Sequence, residues 1–332
     1  MKVTKESRSA TLASTALTQA LPDKSNGVQL CLDELLAYKN QAVHWQPPAR
    51  SLWSQLNGGH QSRHQGRGMD FSEVRQYQAG DDIRSIDWRV TARTGKTHTK
   101  LFTEEREQPV ILYIDLSTTM RFGSQLMLKS VQAAHMASLI SWLTVSQGDR
   151  IGAIIDDGVS LYDLKPTARA KGALYIADQL VRKHCDALAS NQTSENSTSV
   201  TDVLQSLHRL CPKGSDVILI SDFQRFGEKH QALLSQLRQH NHIRAVQISD
   251  PLEHGDTQYT GLAHVKDALS SAWLNFGSKT TKAKIEQQYQ YALTPFTQAC
   301  QSLAIPISEL SSSASLLTQL HDLQQSGGHH GR

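Results

Sequence analysis

Asp115, Ser117 and Thr119 occupy alternate positions directly after the apolar run Val110-Ile-Leu-Tyr-Ile114. A buried strand that ends this way gathers one carboxylate and two hydroxyls on a single tight turn. These are hard oxygen donors of the kind Mg²⁺ prefers, and the turn has no thiol or imidazole to favour zinc or copper. The same spacing also suits a purely structural turn, in which Asp115 caps the next helix and the hydroxyls close the loop. Two distant segments end in compatible ways. Asp222 follows the apolar run Val217-Ile-Leu-Ile220 and Ser221, and Thr201 follows a Ser/Asn-rich loop just ahead of a helix. Loops at the carboxyl ends of neighbouring strands converge in an open α/β sheet. Asp115, Ser117, Thr119, Thr201 and Asp222 are therefore expected on one rim, as ligands of Mg²⁺ or another divalent cation.

The elements that must position these residues alternate along the chain. Val110–Ile114, Arg150–Ile155, Asp216–Ile220 and Ile243–Ile248 are short apolar runs that predict buried strands. Between them, Gln125–Val145 carries Leu128, Val131, His135, Leu139 and Trp142 at helical spacing. Further helices are predicted over Thr167–Lys183, Asp202–Leu210, Glu228–His240 and Lys279–Leu303, and Val159–Leu164 pairs back across the Asp156-Asp-Gly158 turn. This alternation predicts a doubly wound, mostly parallel sheet with helices on both faces. His135, on the apolar stripe of its helix, is expected to be a hydrogen-bonded core residue. Residues 1 to about 27 are rich in Ser, Thr, Ala and Lys and predict a disordered segment, as does the 323–332 tail. Residues 28–108 read as an N-terminal extension beginning with a short helix, and 109–322 as the sheet domain.

Within the extension, Asp81, Asp82 and Asp87 are interleaved with Arg84, Arg89 and Arg93. Ion pairs that fix the segment explain this pattern better than a catalytic acid cluster, and a partner-docking surface is the other reading. Trp88 is expected to be a buried anchor.

Several segments together resemble the bacterial domain-of-unknown-function 58 family. They are Gly66-Arg-Gly-Met-Asp-Phe71, Arg75-Gln-Tyr77, Gly80-Asp-Asp-Ile-Arg84-Ser-Ile-Asp-Trp88, Ala92-Arg93, Glu104-Glu-Arg106, Phe122-Gly123, Lys129, Gly148-Asp-Arg-Ile-Gly152 and Asp250-Pro-Leu-Glu253. Asp115-x-Ser-x-Thr119, Thr201 and Asp222 are similar to the metal-ion-dependent adhesion site of von Willebrand factor type A domains, with Thr119 where Ser is usual and Val200 where Gly is usual. The resemblance implies a von Willebrand A-like module acting as an adaptor beside a MoxR-type AAA+ ATPase, on a client protein whose assembly or maturation the pair assists.

Composition narrows the remaining classes. At 39% hydrophobic and 20% charged, the 332-residue chain has the balance of a globular protein. A net charge of +3 does not by itself imply nucleic acid, and no nucleic-acid partner is expected. Cys31, Cys185, Cys211 and Cys300 form no Cys-x-x-Cys pair, which suits a reducing compartment. No apolar run reaches the ~18 residues of a membrane span and no secretory signal is visible, so a cytoplasmic location is expected. Gly95-Lys96-Thr97 lacks the upstream Gly of a phosphate loop, with Val90 in its place. His60 and His64 have no Glu between them and read as surface residues rather than zinc ligands. A non-enzymatic interaction module, whose divalent-metal rim meets an acidic residue of a partner, is the reading the residues favour. The alternatives are a metal-dependent hydrolase using Asp115 and Asp222, and a scaffold whose metal site is degenerate.

Overall fold

The computed structural model describes residues 21–22, 24–43, 69–78, 81–104, 109–189, 197–257, 259–266 and 271–327. The expectations of disorder over 1–20 and of a mobile tail over 328–332 fall outside these residues, as do His60 and His64. The chain divides into two compact units, one formed by Asn57–Gln108 and the other by the rest.

The larger unit begins with helix α1, Leu32–Val43. It buries Leu35, Tyr38 and Ala42, which recur at three- and four-residue steps and so share one helix face. In the smaller unit, strand β1 (Met69–Gln76) pairs antiparallel with β2 (His98–Glu104), and the seven-residue helix α2 (Trp88–Thr94) lies between them in sequence.

From Pro109 the larger unit resumes as alternating strands and helices. The elements are β3 (Val110–Asp115), α3 (Lys129–Ser146), β4 (Ile151–Asp156), β5 (Leu161–Thr167), α4 (Ala170–Ala189), α5 (Val200–Leu210) and β6 (Asp216–Ser221). They continue with α6 (Gln231–His240), β7 (His242–Ser249), the antiparallel ribbon β8 (Leu262–Lys266) and β9 (Ser271–Asn275), α7 (Lys279–Ser302), β10 (Ile307–Ser311) and α8 (Leu316–Gly327). Six strands form the central sheet in the order β10-β7-β6-β3-β4-β5. All pairings are parallel except β4 with β5.

Alternation along the strands builds a core on each face of this sheet. Leu112 and Ile114 of β3 join Leu35, Tyr38, Val131, Leu139 and Leu180 from α1, α3 and α4. Ile111 and Tyr113 turn the other way, toward Leu204, Leu207, Leu234 and Phe296 of α5, α6 and α7. Both faces being covered explains why the central strands are continuously apolar rather than alternating.

Among the boundaries that differ from those the sequence predicts, three bear on how the core and the domain ends are built. The helix near residue 30 belongs to the sheet unit rather than to the extension. Leu35 O accepts from Ser138 Oγ at 2.7 Å, and Glu34 Oε2 lies 3.3 Å from His135 Nε2, which makes His135 the hydrogen-bonded core histidine expected. Helix α3 starts at Lys129 because the residues before it bond elsewhere: Leu128 N–H donates to Gly27 O and Met127 N–H to Ser312 O. Helix α8 runs to Gly327, five residues beyond the predicted end of the domain at 322.

His184 of α4 is buried beside Ser130, 2.9 Å from Nε2 to Oγ, and its Nδ1 has no partner among the described residues. Burial pushes this imidazole down to about 4, aided by the positive charge of Arg121 and opposed by Glu34. The folded protein therefore keeps His184 neutral through a range where the unfolded chain, titrating near 6.5, takes up a proton. Stability contributed by the neutral ring is present above pH 6.5 and is lost as the pH falls toward 4, by at most roughly 3 kcal/mol. Urea midpoints measured at pH 7 and pH 4.5 should show this loss, and His184→Gln should flatten it.

Candidate functional site

Strand register brings three loop ends together. Asp115 at the end of β3 pairs with Asp156 at the end of β4, and Ile114 pairs with Ile220, which sets Ser221 of β6 on the other side of Asp115. Asp115 is buried. Its Oδ1 accepts the Ser117 N–H at 2.9 Å, and its Oδ2 accepts the Ser221 hydroxyl at 2.6 Å. Ser117 Oγ and Thr119 Oγ1 lie 3.3 Å apart on the same turn. The adjacent turn closes through Gly158, whose N–H donates to Asp156 Oδ1 at 2.8 Å. Gly158 has φ +91°, and a Cβ on it would stand 3.3 Å from the Ser117 backbone, so glycine is the residue this turn admits.

Arg225 supplies the positive charge at this rim. Its Nη2 donates to Asp156 Oδ2 at 2.6 Å and to Asp115 Oδ2 at 3.2 Å, and it also reaches the Tyr113 hydroxyl at 3.2 Å. Nη1 donates to the Thr198 carbonyl at 3.2 Å, and the Thr198 hydroxyl donates to Asp156 at 2.6 Å. Burial alone would raise the Asp115 carboxyl, but the Arg225 charge and the hydrogen bonds from Ser117 and Ser221 hold it below the usual carboxylate range. Tyr113 moves the opposite way. Burial and the neighbouring carboxylates push its hydroxyl well above its ordinary value, so it stays protonated and donates to Asp156 at 3.0 Å.

Asp222 belongs to a second network. Its Oδ2 accepts from Lys129 Nζ at 2.9 Å, with both side chains wholly buried, and its Oδ1 accepts the Gln224 N–H at 3.2 Å. Lys129 also donates to Glu253 at 2.5 Å, and Glu253 accepts the Asp250 N–H at 2.9 Å. Asp250 in turn accepts from the hydroxyls of Ser124 and Ser312. Burial opposes the ammonium charge, but Asp222 and Glu253 outweigh it and raise the Lys129 pKa. Between the two networks, Phe223 adopts φ +58°, an unfavourable conformation for a bulky residue. Its ring stacks on Phe296 at 3.8 Å, and its N–H is held by Ser221 Oγ at 3.0 Å.

Of the five expected ligands, Asp115, Ser117 and Thr119 share one turn. Thr201 sits on the first turn of α5, and the hydroxyl from this region that reaches a strand-end carboxylate is that of Thr198, on Asp156. Asp222 is committed to Lys129. As these side chains stand, they do not fit a divalent ion. Mg²⁺ asks for about six oxygens in near-octahedral array, whereas Asp115 already holds a guanidinium. A +2 ion roughly 4 Å from that guanidinium would be repelled by about 8 kcal/mol at an effective dielectric near 20. Among the described residues, no group of three or more His, Cys, Asp or Glu side chains is arranged to hold a metal.

In the smaller unit Asp81, Asp82 and Asp87 are structural: Asp82 and Asp87 hold backbone N–H groups, and the arginine that forms an ion pair is Arg75 rather than Arg84, Arg89 or Arg93. Asp81 receives both Nη atoms of Arg75, at 3.0 and 2.8 Å. Asp82 caps the 3₁₀ turn Ile83–Ser85 through the Arg84 N–H at 2.9 Å. Asp87 caps α2 through the N–H groups of Arg89 and Val90, and lies 3.5 Å from Lys100. Trp88 is not the buried anchor the sequence suggests. It opens a helix that buries none of its residues, and it is 68% exposed. Sequence reasoning also missed Arg225 and Asp156. Asp156 carried a usable signal, since it ends an apolar strand just as Asp115 does. Arg225 carried none, because a long side chain on a turn declares no direction.

A six-stranded, mostly parallel sheet with helices packed on both faces defines an α/β protein. Residues 73–295 match the family described as "Protein of unknown function DUF58", and the chain belongs to that family. It is 37% identical over 106 residues to uncharacterized proteins of Mycobacterium bovis and of Mycobacterium tuberculosis, a stretch that covers 32% of this chain and 33% of each relative. The match thus spans about a third of the length of these curated relatives. Among solved structures, the conserved hypothetical protein BatB from Bacteroides thetaiotaomicron aligns with 59% of this chain and 98% of its own, at 14% identity and a TM-score of 0.33. An uncharacterized membrane spanning protein from Vibrio fischeri aligns with 60% and 98% at 17% identity and a TM-score of 0.22. Both likenesses are slight. No helix among the described residues is long and apolar enough to cross a membrane.

The buried Lys129–Asp222 pair gives a direct check on this geometry. Lys129→Met leaves Asp222 buried and unpaired and should cost roughly 3–5 kcal/mol. Adding Asp222→Asn should return part of that loss, and a double-mutant cycle by chemical denaturation measures the coupling.

Proposed function

We propose that this chain is a non-enzymatic interaction module, serving as an adaptor or co-chaperone for a MoxR-type AAA+ ATPase in the assembly or maturation of a client protein. In this reading the six-stranded unit is a von Willebrand A-like scaffold and the smaller unit carries the docking surface. The observation that carries it is the exposure of Ile83 and Trp88, 66% and 68%. Arg84, Arg89 and Arg93, all exposed, flank them, and among the described residues none of the three is ion-paired. Arg89 and Arg93 are four apart on α2 and so share a face. Large apolar side chains ringed by arginines have the composition of an interface centre. Their charge fits an acidic, partly apolar face on the ATPase. The hydrolase reading gains nothing from Asp115 and Asp222, since Arg225 and Lys129 hold the carboxylates that would have to activate water.

Pull-down or surface-binding assays against a MoxR-type ATPase from the same organism test the proposal. Trp88→Ala should weaken binding by ~30-fold or more, as for a hot-spot aromatic, while stability changes by less than about 1 kcal/mol because the ring is exposed. The pair Arg89→Glu and Arg93→Glu should slow association and remove its salt dependence, and chelator should leave wild-type binding unchanged. Wild-type affinity in both variants would contradict the proposed surface.

A further inference from the structure

We propose that the Arg225 guanidinium is the resident cation of the sheet rim: it occupies the place a divalent ion would take, so the wild-type rim binds none, and its removal creates a metal site from Asp115, Asp156, Ser117 and Thr119. Three observations carry this. The first is convergence. One planar cation is bonded to the end of β3 through Asp115, to the end of β4 through Asp156, and to the loop before α5 through the Thr198 carbonyl. Linking the ligand-bearing loops is what an ion at this rim would otherwise do. The second is saturation. The remaining strand-end carboxylate, Asp222, is neutralised by its own buried cation, Lys129, and cannot complete a coordination sphere without leaving that ammonium unpaired.

The third observation concerns what lies beneath the guanidinium. Asp115 and Asp156 are register neighbours, both buried, and the Ser117 and Thr119 hydroxyls stand together on the same turn. Arg225 is the only cationic side chain bonded to either carboxylate among the described residues, and it is 23% exposed while they are closed from solvent. With the guanidinium gone, two buried carboxylates would face each other without compensation. Such a pair either holds a proton or binds a cation, and with two hydroxyls beside it the donor set is one Mg²⁺ or Mn²⁺ accepts. Lysine at position 225 would keep a charge at the rim, though not the planar two-carboxylate fork.

Thermal unfolding of the purified full chain, stripped with chelator and then supplied with millimolar Mg²⁺ or Mn²⁺, tests the proposal without any partner, so it stands or falls apart from the adaptor reading. Wild type and Arg225→Lys should melt at the same temperature with and without metal. Arg225→Met should melt lower in chelator and rise by roughly 5–10 °C in Mn²⁺, and Asp115→Asn in the same background should abolish that rise. Metal-dependent stabilisation of the wild type that Asp115→Asn removes would overturn the proposal, as would a folded Arg225→Met variant indifferent to both ions. If Arg225→Met does not fold in chelator, calorimetric titration of the wild type with Mn²⁺ decides: binding heat that Asp115→Asn removes overturns the proposal, and its absence supports it.

Discussion

Two buried carboxylates side by side at the end of a parallel sheet are unstable unless something positive joins them, and in this protein that constraint organises the rim. Asp115 and Asp156 fall beside each other because β3 and β4 run parallel and in register. Arg225 reaches both from the turn after β6, fixing the Ser221–Phe226 turn, the approach to α5 and the Gly158 turn against one another. Tyr113 stays protonated in this environment and adds a neutral donor on the core side. The rim is therefore closed by the protein's own side chains.

The Lys129 network repeats the device on the other side of β6. Lys129 begins α3, and its ammonium joins Asp222 after β6 to Glu253 after β7, while Asp250 and Ser312 extend the chain of bonds to β10. A buried ion pair is weak evidence of net stability, since desolvation offsets most of the attraction. Its clearer effect is on specificity, because sliding β6 or β7 by one residue would strand a charge in the core. Lys129 and the Asp250-Pro-Leu-Glu253 segment thus have a physical role, which is to lock the strand ends that flank Asp115.

Much of the sheet was legible in the residues. Val110–Ile114 and Val217–Ile220 read as buried strands because both faces are covered, which leaves no polar alternation to confuse them. Strand β10 and helix α8 were not foreseen: β10 has five residues, lies at the sheet edge and is only partly buried, and α8 is a short helix of twelve residues near the end of the described chain. Helix α1 was seen but placed in the wrong unit, since periodicity shows which face is buried and not what buries it. At the site, Asp115 and Asp222 were found from their positions at strand ends. Their partners were not, because Arg225 and Lys129 lie 110 and 93 residues away in sequence and only packing brings them near. Trp88 failed for a related reason. Large aromatics are usually anchors, and nothing local indicates that α2 would leave this one in solvent.

The claim on which the account rests is that a guanidinium, not a metal ion, neutralises the Asp115 rim. Crystals grown in Mn²⁺ and measured at a wavelength where manganese scatters anomalously would test it most directly. The account predicts no anomalous peak within coordination distance of Asp115 or the Ser117 and Thr119 hydroxyls, with Arg225 bridging Asp115 and Asp156. A peak bonded to Asp115, with Arg225 turned out to solvent, would contradict it.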